Sequence, residues 1–141
     1  QLRFESGFDC SGIINLNRFT NCEKIEIADT AMTRVNRIDI IGLTRLQEII
    51  SGDGSCGLLS ELSVMNTTFD QLCSIQIGSN SLNELTSMRV LNAASLRSLS
   101  IGSSSLQKLD QFRMSFFSSL QSVRIGSHSL TSVRELELNG L

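Results

Sequence analysis

The feature that most constrains this chain is an internal period. Leu72, Leu96 and Leu120 stand 24 residues apart, and the segments after them read I-Q-I-G-S-N-S-L, L-S-I-G-S-S-S-L and V-R-I-G-S-H-S-L. Self-similarity at a fixed interval of this size marks a repeat solenoid, in which each unit buries its apolar side against its neighbours. The same phases continue upstream. Leu46, Ile49, Cys56, Leu59, Leu62 and Val64 form an earlier unit, with two extra residues within 65–71 and Ser51 in a slot that is Ile elsewhere. Cys22, Ile25, Ile27, Met32, Val35, Ile38, Ile40 and Leu43 form another. Leu2, Phe4, Phe8, Ile14, Leu16 and Phe19 fit a leading unit that slips by one residue near Cys10. The expected organisation is a single array over 1–141. It has an irregular leading coil at 1–21, full coils at 22–45, 46–71, 72–95 and 96–119, and a truncated coil at 120–141.

Each unit holds two short alternating segments. The first is Ile75-Gln-Ile77, Leu99-Ser-Ile101 or Val123-Arg-Ile125. The second is Met88-Arg-Val90, Phe112-Arg-Met114 or Leu136-Glu-Leu138. Period-2 alternation points the apolar pair inward and the middle residue outward, as in a half-buried strand. A helix in the second segment would be under two turns long, too short to be stable alone. Between the segments, Gly78, Gly102 and Gly126 permit a bend, and the flanking serines suit turn hydrogen bonds. The register puts Ile75, Leu99 and Val123 in one buried column.

The first segment, Leu72-x-x-Ile75-x-Ile77-x-x-Asn80-x-Leu82, resembles the leucine-rich repeat pattern L-x-x-L-x-L-x-x-N-x-L at every specified slot. The coils from Leu96 and Leu120 match with Ser104 and His128 in the Asn slot, and Thr30 and Gly54 occupy it earlier. The resemblance implies that this side chain bonds backbone groups inside the turn. Ser and Thr retain that capacity, and Gly54 lacks it. The second L-x-x-L-x-L half-coil, at Leu85 to Val90, departs from helix-bearing members. It is similar to the double-stranded short-repeat varieties of bacterial and protist surface proteins. The expected fold is therefore an all-β solenoid of leucine-rich-repeat-like coils of about 24 residues, with two parallel-stacked strands each. The resemblance implies adhesion or recognition, not catalysis, and an extracellular or cell-surface location.

Composition narrows the function classes. The 40% apolar content suffices for a continuous core, which is aliphatic because seven Phe are the only aromatics. A net charge of −2 gives no electrostatic reason to expect nucleic acid. No apolar run approaches the roughly 20 residues that span a bilayer as a helix. The chain opens on Gln1 rather than Met and shows no signal peptide, which reads as a processed or excised segment.

The candidate contact residues are outward positions of the first segments: Glu26, Asp29, Glu48, Gln76, Arg97 and Arg124. They run from acidic to mildly basic along the stack, a polarity that a protein or glycan partner can read. Glu26, Asp29, Glu48 and Asp53 are the nearest approach to a carboxylate cluster, and they read as surface charge. His128, the single histidine, has no spaced nucleophile and reads as a turn residue. No catalytic, cofactor or metal site is expected. Cys22 and Cys56 sit in core phases and Cys73 in an outward one. The cysteines read as free thiols, with Cys10–Cys22 the one bridge that stacked coils leave open. Asn66-Thr67-Thr68 is a glycosylation sequon in the coil with the insertion. Ser79, Ser103 and Ser127 align, as do Ser81, Ser105 and Ser129, and both rows read as turn chemistry. Arg89 and Arg113 stack as like charges that call for a bridging carboxylate or anion. Solenoid ends need covers. The two expected covers are further coils of a parent chain and a second copy stacked head to tail as a filament or surface layer.

Overall fold

The computed structural model describes residues 1–65, 71–115 and 117–139. The alternating segments are strands, two to a coil. They are β1 (Leu2–Phe4), β2 (Gly12–Asn15), β3 (Lys24–Ile27), β4 (Val35–Ile41), β5 (Glu48–Ser51), β6 (Glu61–Met65), β7 (Ser74–Ile77), β8 (Ser87–Leu91), β9 (Ser98–Ile101), β10 (Gln111–Ser115), β11 (Ser122–Ile125) and β12 (Glu135–Asn139). Odd strands stack as one parallel six-stranded sheet, here sheet A, and even strands as a second, sheet B. The chain is a β-solenoid of about six coils of roughly 24 residues. The second segments that a short helix could have claimed are all strands.

The register follows the repeat. Ile75 pairs with Leu99 and Ile77 with Ile101 in sheet A, and Met88 pairs with Phe112 in sheet B. The inward residues of both sheets make one aliphatic core that includes Ile25, Ile49, Ile75, Leu85, Met88 and Leu109. Burying each such side chain is worth about 1.5–3 kcal/mol. Ser51 replaces Ile in this column, and its hydroxyl meets Ser55 Oγ at 2.6 Å, so the buried polar group keeps a partner. The predicted column is only partly buried. Ile75 and Leu99 are buried, but Val123 is 50% exposed because no strand covers its C-terminal side among the described residues.

The corner between the two sheets sets the spacing of the coils. The sequence reading gave its glycines a bending role, and the structure gives them another. A Cβ on Gly78 would lie 2.5 Å from Gly52 C, and one on Gly102 would lie 2.5 Å from Ser79 N. Gly52 and Gly126 face the preceding coil equally closely. Only hydrogen fits there, because the glycine N–H groups donate to the preceding coil at 2.7 Å, Gly102 to Ile77 O and Gly126 to Ile101 O.

Two left-handed residues follow each corner glycine, and Ala28 in the same slot of the second coil. Thr30, Gly54, Asn80, Ser104 and His128 have φ of 53° to 63°, and Met32, Cys56, Leu82, Leu106 and Leu130 have φ of 54° to 58°. Non-glycine residues held in this region cost about 1 kcal/mol or more each. Stacked hydrogen bonds offset the cost. Asn80 N–H donates forward to Ser103 O at 2.9 Å, and Leu106 N–H donates back to Ser81 O at 3.2 Å.

The leading coil is the irregular one. Leu2 pairs with Ile25, a 23-residue step. The phase slip expected near Cys10 falls between Gly12 and Ile13, where β4 bulges past β2. Asp9 fastens this coil to the next. Its carboxylate accepts the Arg34 N–H at 2.9 Å and the Thr33 hydroxyl at 2.8 Å. The Arg34 backbone N–H is the main influence holding the Asp9 carboxyl below its ordinary value. Leu16 is buried, whereas Phe8 and Phe19 are exposed.

Gly102→Ala tests the corner. The methyl group must push two backbones apart, so stability should fall by about 1–3 kcal/mol, the usual cost of overpacking. Ser100→Ala, on the outer face of the same coil, should stay within about 0.5 kcal/mol of wild type. Denaturant unfolding of both variants provides the comparison.

Candidate functional site

The outer face of sheet A carries the residues that the sequence singled out, and the structure divides them into two groups. Glu26 meets Arg3 at 3.4 Å and Lys24 at 3.7 Å, and Glu48 meets the same lysine at 3.7 Å. Asp29 Oδ1 accepts the Asp53 N–H at 2.8 Å, and Asp53 Oδ1 accepts the Ser79 N–H at 2.7 Å. Glu26 and Glu48 are thus paired with cations, and Asp29 and Asp53 are held by backbone N–H groups of the next coil. These carboxylates hold neighbouring coils together.

Gln76, Arg97 and Arg124 differ. All three are exposed, and among the described residues neither arginine has an ion pair. A shallow depression of about 330 Å³ crosses β7, β9 and β11, lined by Gln76, Ser98, Leu99, Ser100, Ser122 and Arg124. The strands place Gln76, Ser100 and Arg124 in one row, since Gln76 pairs with Ser100 and Ser100 with Arg124. The row therefore offers an amide, a hydroxyl and a guanidinium at about 4.8 Å spacing. The depression gathers donors that suit a polar or anionic ligand.

In sheet B the stacked arginines are not bridged by one carboxylate. Arg113 Nη2 meets Glu135 of the next coil at 2.7 Å. Arg89, beside Arg113 in the ladder, has no ion pair among the described residues.

The asparagine slot departs from the resemblance. Asn80 and His128 are exposed, and the slot is a left-handed corner whose side chain points outward. The inward polar role falls one residue later. Ser55, Ser81 and Ser105 are fully buried. Ser81 Oγ donates to Gly52 O at 2.6 Å, Ser105 Oγ to Gly78 O at 2.6 Å, and Ser129 Oγ to Gly102 O at 2.7 Å. Two of these hydroxyls also accept an N–H from the coil before, Ser105 Oγ from Ser81 at 3.2 Å and Ser129 Oγ from Ser105 at 3.1 Å. One of the two serine rows is therefore an internal ladder. The signal in the sequence was a hydroxyl three residues after every corner glycine from Gly52 onward.

Cys10, Cys22, Cys56 and Cys73 are free thiols, with Cys22 and Cys56 buried. Burial pushes the Cys56 thiol up to about 12, against a small opposing effect of a hydrogen bond with Ser55. Among the described residues no group of three His, Cys, Asp or Glu could hold a metal ion, and no helix is long and apolar enough to cross a membrane. The Asn66 sequon lies outside the described residues. Comparison with protein-family models, curated proteins and solved structures found no match.

The thiols provide a test of the inward and outward phases. A thiol reagent should modify Cys73 in the native protein and Cys56 only after unfolding. The folded Cys56 thiol stays protonated well above the ordinary value of 9.0. Its contribution to stability is complete below that value and declines as pH rises towards about 12. Cys56→Ala should flatten that part of the stability profile. Modification of Cys56 ahead of Cys73 would invert the phase assignment.

Proposed function

We propose that the chain is a non-enzymatic recognition or adhesion module that binds a protein or glycan ligand on the outer face of sheet A. The observation that carries the reading is the depression over β7, β9 and β11. There Gln76, Ser98, Ser100, Ser122 and Arg124, which has no ion pair among the described residues, converge beside a half-face where Glu26 and Glu48 are paired with cations. Arg97, beside Ser98 in the chain, is a second cation without an ion pair among the described residues. Repeat solenoids present extended surfaces of this kind on rigid, stacked strands. The leucine-rich-repeat pattern of the first segments favours the same role, and a surface or extracellular setting suits it. Ion-paired Glu26 and Glu48 and backbone-bonded Asp29 act as scaffold in this reading, while Gln76, Arg97 and Arg124 make the contact.

A second reading is a structural one, a segment of a longer array or a subunit of a filament or surface layer. The parallel stacking of like strands, coil on coil in both sheets, favours it.

Binding to panels of neutral glycans, acidic glycans and acidic peptides tests the first reading. Arg124→Ala removes a charge-assisted hydrogen bond and should weaken the best ligand by about tenfold or more. Glu48→Gln should leave affinity unchanged. A ligand that loses affinity with Glu48→Gln and not with Arg124→Ala, or no ligand in any panel, would reject this placement of the site.

A further inference from the structure

The depression over β7, β9 and β11 is defined as much by what it lacks as by what it offers. The outward residues of these strands are Ser74, Gln76, Ser98, Ser100, Ser122 and Arg124. None is apolar, aromatic or acidic. Leu99 also lines the depression, but its side chain is buried in the core. Ser98 Oγ donates to Ser74 Oγ at 3.2 Å. The side chains of Gln76, Ser100, Ser122 and Arg124 have no hydrogen bond or ion pair among the described residues. In the neighbouring strand β5 the outward carboxylate, Glu48, already meets Lys24 at 3.7 Å. The depression therefore holds open hydroxyls, an amide on its β7 side and a guanidinium on its β11 side. Two strand steps, about 10 Å, separate Gln76 from Arg124.

This surface suits three ligand classes poorly. A folded protein binds through aromatic or aliphatic anchors seated in pockets, and the depression offers neither. An extended peptide gains affinity by joining a sheet edge, and β9 is already paired on both edges, to β7 and to β11. A neutral sugar lays its C–H face on the negative face of an aromatic ring. Seven Phe are the only aromatics of the chain, and none lines the depression. The groups present suit a ligand that is dense in hydroxyls and also carries negative charge. Ser and Gln side chains both donate and accept, as sugar hydroxyls do. The guanidinium adds a charge-assisted bond to a carboxylate or a sulfate.

We propose that the depression binds an acidic glycan, with the carboxylate or sulfate of one sugar on Arg124 and neighbouring sugar hydroxyls on Gln76, Ser100 and Ser122. The proposal rests on the reading of sheet A as the recognition face and names the ligand class of that face. The depression is shallow and spans three strands, which suits a chain lying across the sheet rather than a small molecule enclosed in a cleft. The strands hold the contacting side chains on a rigid surface, so little order is lost on binding.

Titration calorimetry with four probes separates hydroxyls from charge. Oligogalacturonate carries hydroxyls and carboxylates, sulfated dextran hydroxyls and sulfates, dextran hydroxyls alone, and oligoglutamate carboxylates alone. At least one acidic glycan should bind tenfold or more tightly than dextran and oligoglutamate, and the tighter of the two identifies the anionic group. Arg124→Ala should weaken that glycan about tenfold or more, and Ser100→Ala or Gln76→Ala should weaken it several-fold. Arg89→Ala removes the same charge from an exposed position on sheet B and should leave the affinity unchanged. If oligoglutamate or dextran binds as tightly as the acidic glycans, and Arg124→Ala abolishes that binding, the recognition face stands and the glycan assignment is overturned. Acidic-glycan binding that survives Arg124→Ala, or that falls equally in Arg89→Ala, would overturn both. Absence of binding by all four probes would also overturn the glycan assignment.

Discussion

The structure depends on how closely one coil can lie against the next at a single corner. There the glycine column lets backbone meet backbone, with Gly102 N–H on Ile77 O at 2.7 Å. The serine ladder then ties each corner to the one before, with Ser105 Oγ on Gly78 O at 2.6 Å. These two contacts fix the rise per coil, and the rise is what two parallel sheets need at about 4.8 Å per strand. The hydroxyls also satisfy polar groups that would otherwise be buried without partners, each at a cost of about 1–3 kcal/mol. The strained left-handed residues Asn80 and Leu82 persist because the same stacking holds them from both sides.

Stacking in one dimension explains where recognition can occur. Inward positions are consumed by the aliphatic core, so diversity is confined to outer faces and corners. On sheet A the first coils use that freedom for mutual compensation among Arg3, Lys24, Glu26 and Glu48. The later coils leave Gln76, Ser100 and Arg124 in an uncompensated row. A rigid sheet holds such a row in place with little ordering cost on binding, which is the advantage of a preorganised surface.

Much of the fold was legible because the 24-residue period fixes phase, and phase fixes which side chains face inward. Ile75, Leu99, Met88 and Phe112 could be placed from spacing alone. The corner was not legible in the same way. The I-G-S-x-S-L motif shows turn chemistry, but it does not say that glycine is needed for close approach. Nor does it say that the second serine points in while Asn80 points out. Those distinctions depend on two left-handed residues that spacing does not reveal. The candidate site was half legible. Outward positions came from alternation, yet the compensation of Glu26 and Glu48 requires knowing that Arg3 and Lys24 lie across the ladder. Val123 carries the core pattern and is exposed, because a sequence phase cannot report whether a neighbouring coil is present.

The central claim is that the glycine corner is the tightest contact in the stack, and native-state amide hydrogen exchange tests it most directly. If the claim holds, the N–H groups of Gly52, Gly78 and Gly102 should exchange as slowly as those of the core strands, through near-global unfolding. Their neighbours Asp53 and Ser79, whose N–H groups bond only to exposed carboxylates, should exchange sooner. Glycine amides that exchange as fast as ordinary surface turns would contradict the account.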